Sequence, residues 1–166
     1  MLRNTAREIA IHLSYELSFN DTHVDELLDQ RLTAESFAAL AEEDPIYAEA
    51  PNAKQADYIR RLVKGVDEHA AELDGYIAKY AKGWNFARIP LVASAVMRVA
   101  MYEVLYMPDI PNGAAINEAV EIAKNYESAE VVSFVNGILG SFVRAEFSDT
   151  PPKPERASRD KEESQA

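Results

Sequence analysis

Two arginines near the start of the chain, Arg3 and Arg7, are the first side chains suited to binding chemistry. A guanidinium holds a phosphate through two parallel N–H donors, and an exposed arm running into a helix would aim both groups outward. The plainer reading makes Arg7, beside Glu8, surface charge at a helix start. His12 lies five residues beyond Arg7 and is therefore rotated away from it on a helix. It could donate to a nucleic acid, or sit partly buried with its nitrogens satisfied. Lys79 and Lys82 bracket Tyr80 and add positive charge around an aromatic ring, although a solvated helix face would look the same. Arg98, Glu118 and Glu121 form a charge cluster that is better read as structural. Arg98 interrupts the most apolar stretch of the chain and needs a carboxylate if buried. Glu118 or Glu121, on the following helix, is the expected partner. Asn117 and Asn136 are expected to cap or bridge backbone groups within their helix turns.

Several chemistries are excluded or unsupported. The 166 residues include no cysteine, which removes disulfides, thiolate metal sites and a cysteine nucleophile. The three histidines, His12, His23 and His69, are too far apart for a helical metal motif. No glycine-rich phosphate loop occurs, and no serine or histidine stands beside a carboxylate in a catalytic arrangement. No enzyme activity and no cofactor are expected.

The net charge is −11, which by itself opposes nucleic-acid binding. Its distribution is uneven, however: residues 16–50 sum to −9, and residues 51–101 to +3. A locally basic surface is therefore compatible with an acidic chain, while long-range steering toward RNA should be weak.

The elements that must position these groups are helical. Six scattered glycines, abundant alanine and leucine, and the absence of alternating β-branched runs all favour helix. Apolar periodicity and breakers predict helices over 5–19, 24–32, 34–42, 89–106, 114–126 and 130–147. Between them, the stripe Ile59, Leu62, Val63, Val66, Ala70, Leu73, Ile77 marks one long helix or two in line. Thr22 with Asp25, and Asn52 with Gln55, have the spacing of capping boxes. Pro45 to Asn52 reads as a loop. The apolar run 89–107 carries Arg98 and Glu103, and a charge at a bilayer centre costs at least ~2.5–3.5 kcal/mol, so a core helix is expected rather than a membrane span. The first eight residues hold no apolar stretch of signal-peptide length, so the expected location is the cytoplasm. From Ser148 onward the chain is proline- and charge-rich, and a disordered tail over 148–166 is expected after a folded domain over 1–147.

Local sequence then narrows the class. The run Ile110-Pro111-Asn112-Gly113-Ala114-Ala115-Ile116-Asn117-Glu118-Ala119-Val120-Glu121-Ile122-Ala123-Lys124 resembles a characteristic segment of the NusB family. Phe134-Val135-Asn136-Gly137-Ile138-Leu139 and Met97-Arg98-Val99-Ala100-Met101-Tyr102-Glu103 resemble two more. Ala6-Arg7-Glu8, Tyr15 and Glu16 fit the family's opening helix, and Leu73-Asp74 with Trp84 fits its middle. The matches occur in order from Ala6 to Phe142.

The resemblance implies an all-α fold of two small helical subdomains around a central apolar helix. It implies a non-catalytic factor that binds the boxA element of single-stranded RNA together with the ribosomal protein NusE. Within the RNA polymerase antitermination complex, such a pair supports transcription of ribosomal RNA operons. The resemblance places Arg3, Arg7, Tyr80 and Phe134 near RNA, core packing at the start of the last helix being the rival reading of Phe134; Lys79, Lys82 and His12 are further candidate contacts from their residue types alone. Two departures stand out. The family's arginine-rich arm is reduced here to two arginines, and Ala93 stands where many members carry an acid that pairs with the partner protein. The acidic stretch 16–49 should face a basic partner, with the segments 97–103 and 116–126 as apolar anchors. The rival expectation is a helical protein-interaction module, a homodimer or a family relative with little RNA binding of its own.

Overall fold

The computed structural model describes residues 1–85 and 88–147. The expected tail, 148–166, lies outside them. Among the described residues there is no strand, and the secondary structure is eight α-helices and one short 3₁₀ turn. The chain divides into two compact units, Met1–Asp67 and a second from Glu68 onward.

The first unit holds α1 (Arg3–Leu17), α2 (Val24–Arg31), α3 (Ala34–Ala41), the 3₁₀ turn Pro45–Tyr47 and α4 (Ala53–Glu68), whose last residue opens the second unit. Helix α1 buries a broad arc rather than one stripe: Ala6, Arg7, Ile9, Ala10, Ile11, Leu13 and Ser14. The Asn52/Gln55 capping box forms as its spacing predicts. Gln55 N donates to Asn52 Oδ1 at 2.8 Å, and Asn52 N donates to Gln55 Oε1 at 2.9 Å. Gln55 also ties down the N-terminus by donating to the Met1 carbonyl at 2.8 Å. The α2 cap differs from expectation by one residue. His23, not Thr22, is the N-cap, its ring nitrogen accepting from Asp25 N. The expected loop after α3 contains the 3₁₀ turn, begun by Asp44 Oδ1 accepting from Ile46 N at 3.1 Å.

The second unit holds α5 (Ala70–Tyr80), α6 (Leu91–Tyr106), α7 (Asn112–Ala123) and α8 (Ala129–Glu146). The long apolar stripe therefore belongs to two helices, broken at His69, whose ring stacks on Tyr106 at 4.4 Å. Helix α6 is the centre of this unit, touching α5, α7 and α8. Met97, Val99, Ala100 and Met101 on it are wholly inaccessible to solvent, as expected of a helix apolar nearly all round. Pro111 precedes α7, and the Ser128 hydroxyl caps α8 by accepting from Val131 N.

Two structural expectations are corrected here. Arg98 is paired, but with Asp74 of α5 rather than with Glu118 or Glu121. Its Nε and one terminal nitrogen reach the two Asp74 oxygens at 2.6 and 2.9 Å, the fork-to-carboxylate geometry. Glu121 is exposed and pairs with Lys124 one turn on, and Glu118 is half-buried on α7. Asn117 and Asn136 do not cap. Both fall in helix interiors with their side chains exposed, while the cap positions belong to Pro111 and Ser128.

Candidate nucleic-acid interface

The expected contact residues fall in both units, and each set has its own surroundings. In the first unit the exposed arm does not exist as expected. Helix α1 starts at Arg3, and the Met1 ammonium is held by Glu49 at 3.0 Å. Arg7 is completely buried, with a terminal nitrogen donating to Asn4 Oδ1 at 2.6 Å. Burial removes it from the surface, so it is a core residue and no phosphate contact. His12 is half-buried, with Nδ1 3.0 Å from the Tyr47 hydroxyl, and burial lowers its pKa from the usual imidazole value. These contacts fit the partly buried, satisfied histidine that the sequence allowed. Only Arg3 of this set faces outward, its guanidinium 5.8 Å above the Tyr58 ring.

The basic stretch of α4 is also not a free cationic face. Lys64 pairs with Asp25 and Arg60 with Asp29, each at 3.0 Å, so acids of α2 neutralise bases of α4. The local positive excess read from the sequence is largely cancelled by the acidic segment before it.

In the second unit the aromatic residues make a more suitable surface. Phe134, half-buried on the second turn of α8, packs against Trp84 with ring centroids 4.2 Å apart. Trp84 is 39% exposed. The turn that places it requires Gly83, the one described residue with positive φ (83°), a conformation that costs glycine nothing. Lys82 and Arg88, on either side of Trp84 in sequence, are exposed. The two rings are tilted by 41°, and a partly open aromatic pair with basic residues near it in sequence is a surface on which unstacked bases can settle.

One turn earlier, Tyr80 is half-buried, its ring edge-on to the buried Phe142 at 6.4 Å. Its hydroxyl donates to Glu146 Oε2, and Lys79 Nζ reaches the same oxygen at 3.0 Å. The Tyr80 hydroxyl and then Lys79 hold the Glu146 carboxyl below its ordinary pKa, and the bond to Glu146 raises the Tyr80 phenol and the Lys79 ammonium.

The family's model matches residues 4–144, nearly the whole described length. The chain belongs to the NusB family. A relative named transcription antitermination protein NusB, from Symbiobacterium thermophilum, is 38% identical over 145 residues, covering 87% of this chain and 90% of that one. Another of the same name, from Acetivibrio thermocellus, is 39% identical over 147 residues, covering 89% and 92%. The solved structure of T. maritima NusB matches with a TM-score of 0.72 at 28% identity, over 87% of this chain and 92% of that one. The all-helical fold expected from the resemblance is thus the NusB fold.

Within this NusB-family chain, sequence reasoning singled out Phe134 but missed Trp84 as its stacking partner. A tryptophan after glycine in a lysine-bearing turn was the available signal. It also missed Glu146, whose only local sign is its position four residues after Phe142 on one helix face. The segments proposed as apolar anchors for a partner are corrected as well. Residues 97–103 are buried except for Arg98, and in 116–126 the large exposed apolar side chain is Tyr126. Ala93 is fully buried and offers a partner nothing. Among the described residues, the large exposed apolar side chains are Leu2, Phe19, Trp84, Leu91 and Tyr126. Among the described residues, no helix is long and apolar enough to cross a membrane, and no cluster of three metal-ligating side chains occurs.

Proposed function

We propose that this chain is a non-catalytic transcription antitermination factor that binds boxA-like single-stranded RNA together with the ribosomal protein NusE, in the cytoplasm, as part of the RNA polymerase antitermination complex. The observation that carries the RNA reading is the Trp84–Phe134 pair, a partly open aromatic surface with the exposed Lys82 and Arg88 near it in sequence, on an acidic chain. Stacking supplies sequence-tolerant affinity of ~1–3 kcal/mol per base and needs little net charge. A basic NusE completes the site in this scheme. It would meet exposed acids such as Glu26, Glu35, Glu42 and Glu43 in the first unit and add the positive charge that this chain lacks. In the second unit Lys79, Lys82 and Tyr80 are the further proposed phosphate and base contacts, and in the first unit Arg3 is a proposed phosphate contact.

The chain's only tryptophan provides the test. Titration with a boxA-like single strand should quench Trp84 emission, and Trp84→Ala should weaken binding roughly 5- to 100-fold, the range of one lost stacking contact. Unchanged emission together with unchanged affinity in Trp84→Ala would remove RNA from this surface. The burial of Arg7, which strips the N-terminus of one cation, favours a second reading: a protein-interaction module, in a homodimer or with another chain, that binds little RNA. In that case no single-stranded RNA should bind with or without NusE.

A further inference from the structure

The Lys79–Tyr80–Glu146 group has a composition that the stacking surface does not explain. Two donors from the last turn of α5, an ammonium and a phenol, converge on one carboxylate oxygen at the last residue of α8. The Lys79 ammonium also lies 5.3 Å from the centre of the Tyr80 ring, so the two donors support each other. Tyr80 is held from behind: Tyr76 and Tyr80, one turn apart on α5, both meet Phe142 edge-on, at 5.0 and 6.4 Å. Phe142 and Glu146 are in turn one helical turn apart on α8. The buried ring packs against Tyr80, and the carboxylate on the same helix face as that ring accepts from both Tyr80 and Lys79. An ammonium and a phenolic O–H on one anionic oxygen is equally the donor set of a phosphate-oxygen site.

We propose that Lys79 and Tyr80 form an oxyanion subsite for a backbone phosphate of single-stranded RNA, and that Glu146 occupies this subsite as an internal competitor until RNA displaces it. The inference rests on the RNA-binding reading above and adds to it a named phosphate position and a built-in opponent. Glu146 exchanges one anion for another, so RNA gains from the subsite only the difference between a phosphate and the carboxylate. This intramolecular contact accounts for part of the weak affinity expected of the chain alone.

The experiment compares binding of a boxA-like single strand by the full chain, Glu146→Gln and Glu146→Ala, each with NusE present and at several salt concentrations. Removing the competitor should raise RNA affinity about two- to fivefold, the scale of one exposed ion pair. It should also steepen the salt dependence by up to ~0.7 in log–log slope, as Lys79 becomes free to neutralise one phosphate. Asp109→Asn, an exposed acid in the turn before α7, controls for the change in net charge and should give a smaller gain. In a Lys79→Ala, Tyr80→Phe background the gain from Glu146→Gln should vanish. Should Glu146→Ala fail to fold, Glu146→Gln keeps an acceptor for Tyr80 and carries the comparison. Unchanged or reduced affinity in a folded Glu146→Gln would show that the contact only ties α5 to α8, and would overturn the proposal. A gain that survives in the Lys79/Tyr80 background would overturn it too. If the unaltered chain with NusE binds no RNA, the functional reading itself fails, and the inference with it; binding without a Glu146 effect sinks only the inference.

Discussion

Arg7→Ala is expected to lower the unfolding free energy by about 3–5 kcal/mol, the cost of removing one partner from a buried charged network. Its side chain is wholly inaccessible, its aliphatic stem fills volume among the α1 core residues, and its guanidinium bonds Asn4. Truncation therefore removes packed methylenes and leaves polar groups unpaired in a place water does not reach. Arg3→Ala, at a half-exposed position over Tyr58, should cost less than about 1 kcal/mol. Urea unfolding of the two single variants separates them. A loss under 1 kcal/mol for Arg7→Ala would return Arg7 to the surface and revive it as a phosphate contact. The contrast also bears on RNA experiments, because a double Arg3/Arg7 variant would lose affinity by unfolding rather than by losing a contact.

Arg98→Ala should cost about 2–3 kcal/mol, between the values for exposed pairs and fully buried ones. The side chains of Arg98 and Asp74 retain 17% and 29% of their exposure, so the abandoned Asp74 carboxylate recovers some hydration. Arg98→Lys should restore less than half of the loss. An ammonium carries the charge but cannot make the paired N–H bonds that Arg98 makes to both Asp74 oxygens. Thermal and urea unfolding of Arg98→Ala, Asp74→Ala and the double variant form a cycle that isolates the pair. Additive losses in that cycle would show that the two side chains do not act together.

These two arginines mark where the sequence was legible and where it was not. The helices and the Asn52/Gln55 cap could be read because their determinants lie within one or two turns of each other. Burial of Arg7 was obscured by its charge, which beside Glu8 at a helix start reads as surface. Arg7, Ile11 and Ser14, at i, i+4 and i+7, form a second buried stripe beside Ala6, Ile9 and Leu13. Ile11 was the clue that the buried arc is wide. Arg98 was correctly read as needing a carboxylate, but choosing among the eligible acids requires knowing which helix lies alongside. Asp74 is 24 residues away, and Glu118 and Glu121 looked equally suitable on chain proximity. The same limit hid the proposed interface. Trp84 and Phe134, fifty residues apart, and Tyr80 and Glu146, sixty-six apart, become sites only once α8 is laid against the α5 end and its following turn. Family resemblance supplied Phe134 and Tyr80 as residues; it did not supply the groups they touch.

In the proposed function an acidic chain binds RNA because a basic partner completes its site. One thermodynamic box tests it: affinity for a boxA-like single strand with and without NusE, and affinity for NusE with and without that RNA, at one fixed salt concentration. The prediction is weak binding of RNA by the chain alone and a rise of tenfold or more on adding NusE, a coupling of at least ~1.4 kcal/mol. The same factor must appear when RNA tightens the protein–protein contact, since coupling is reciprocal. RNA affinity that is identical with and without NusE would contradict the claim and leave the protein-interaction module as the better description of this chain.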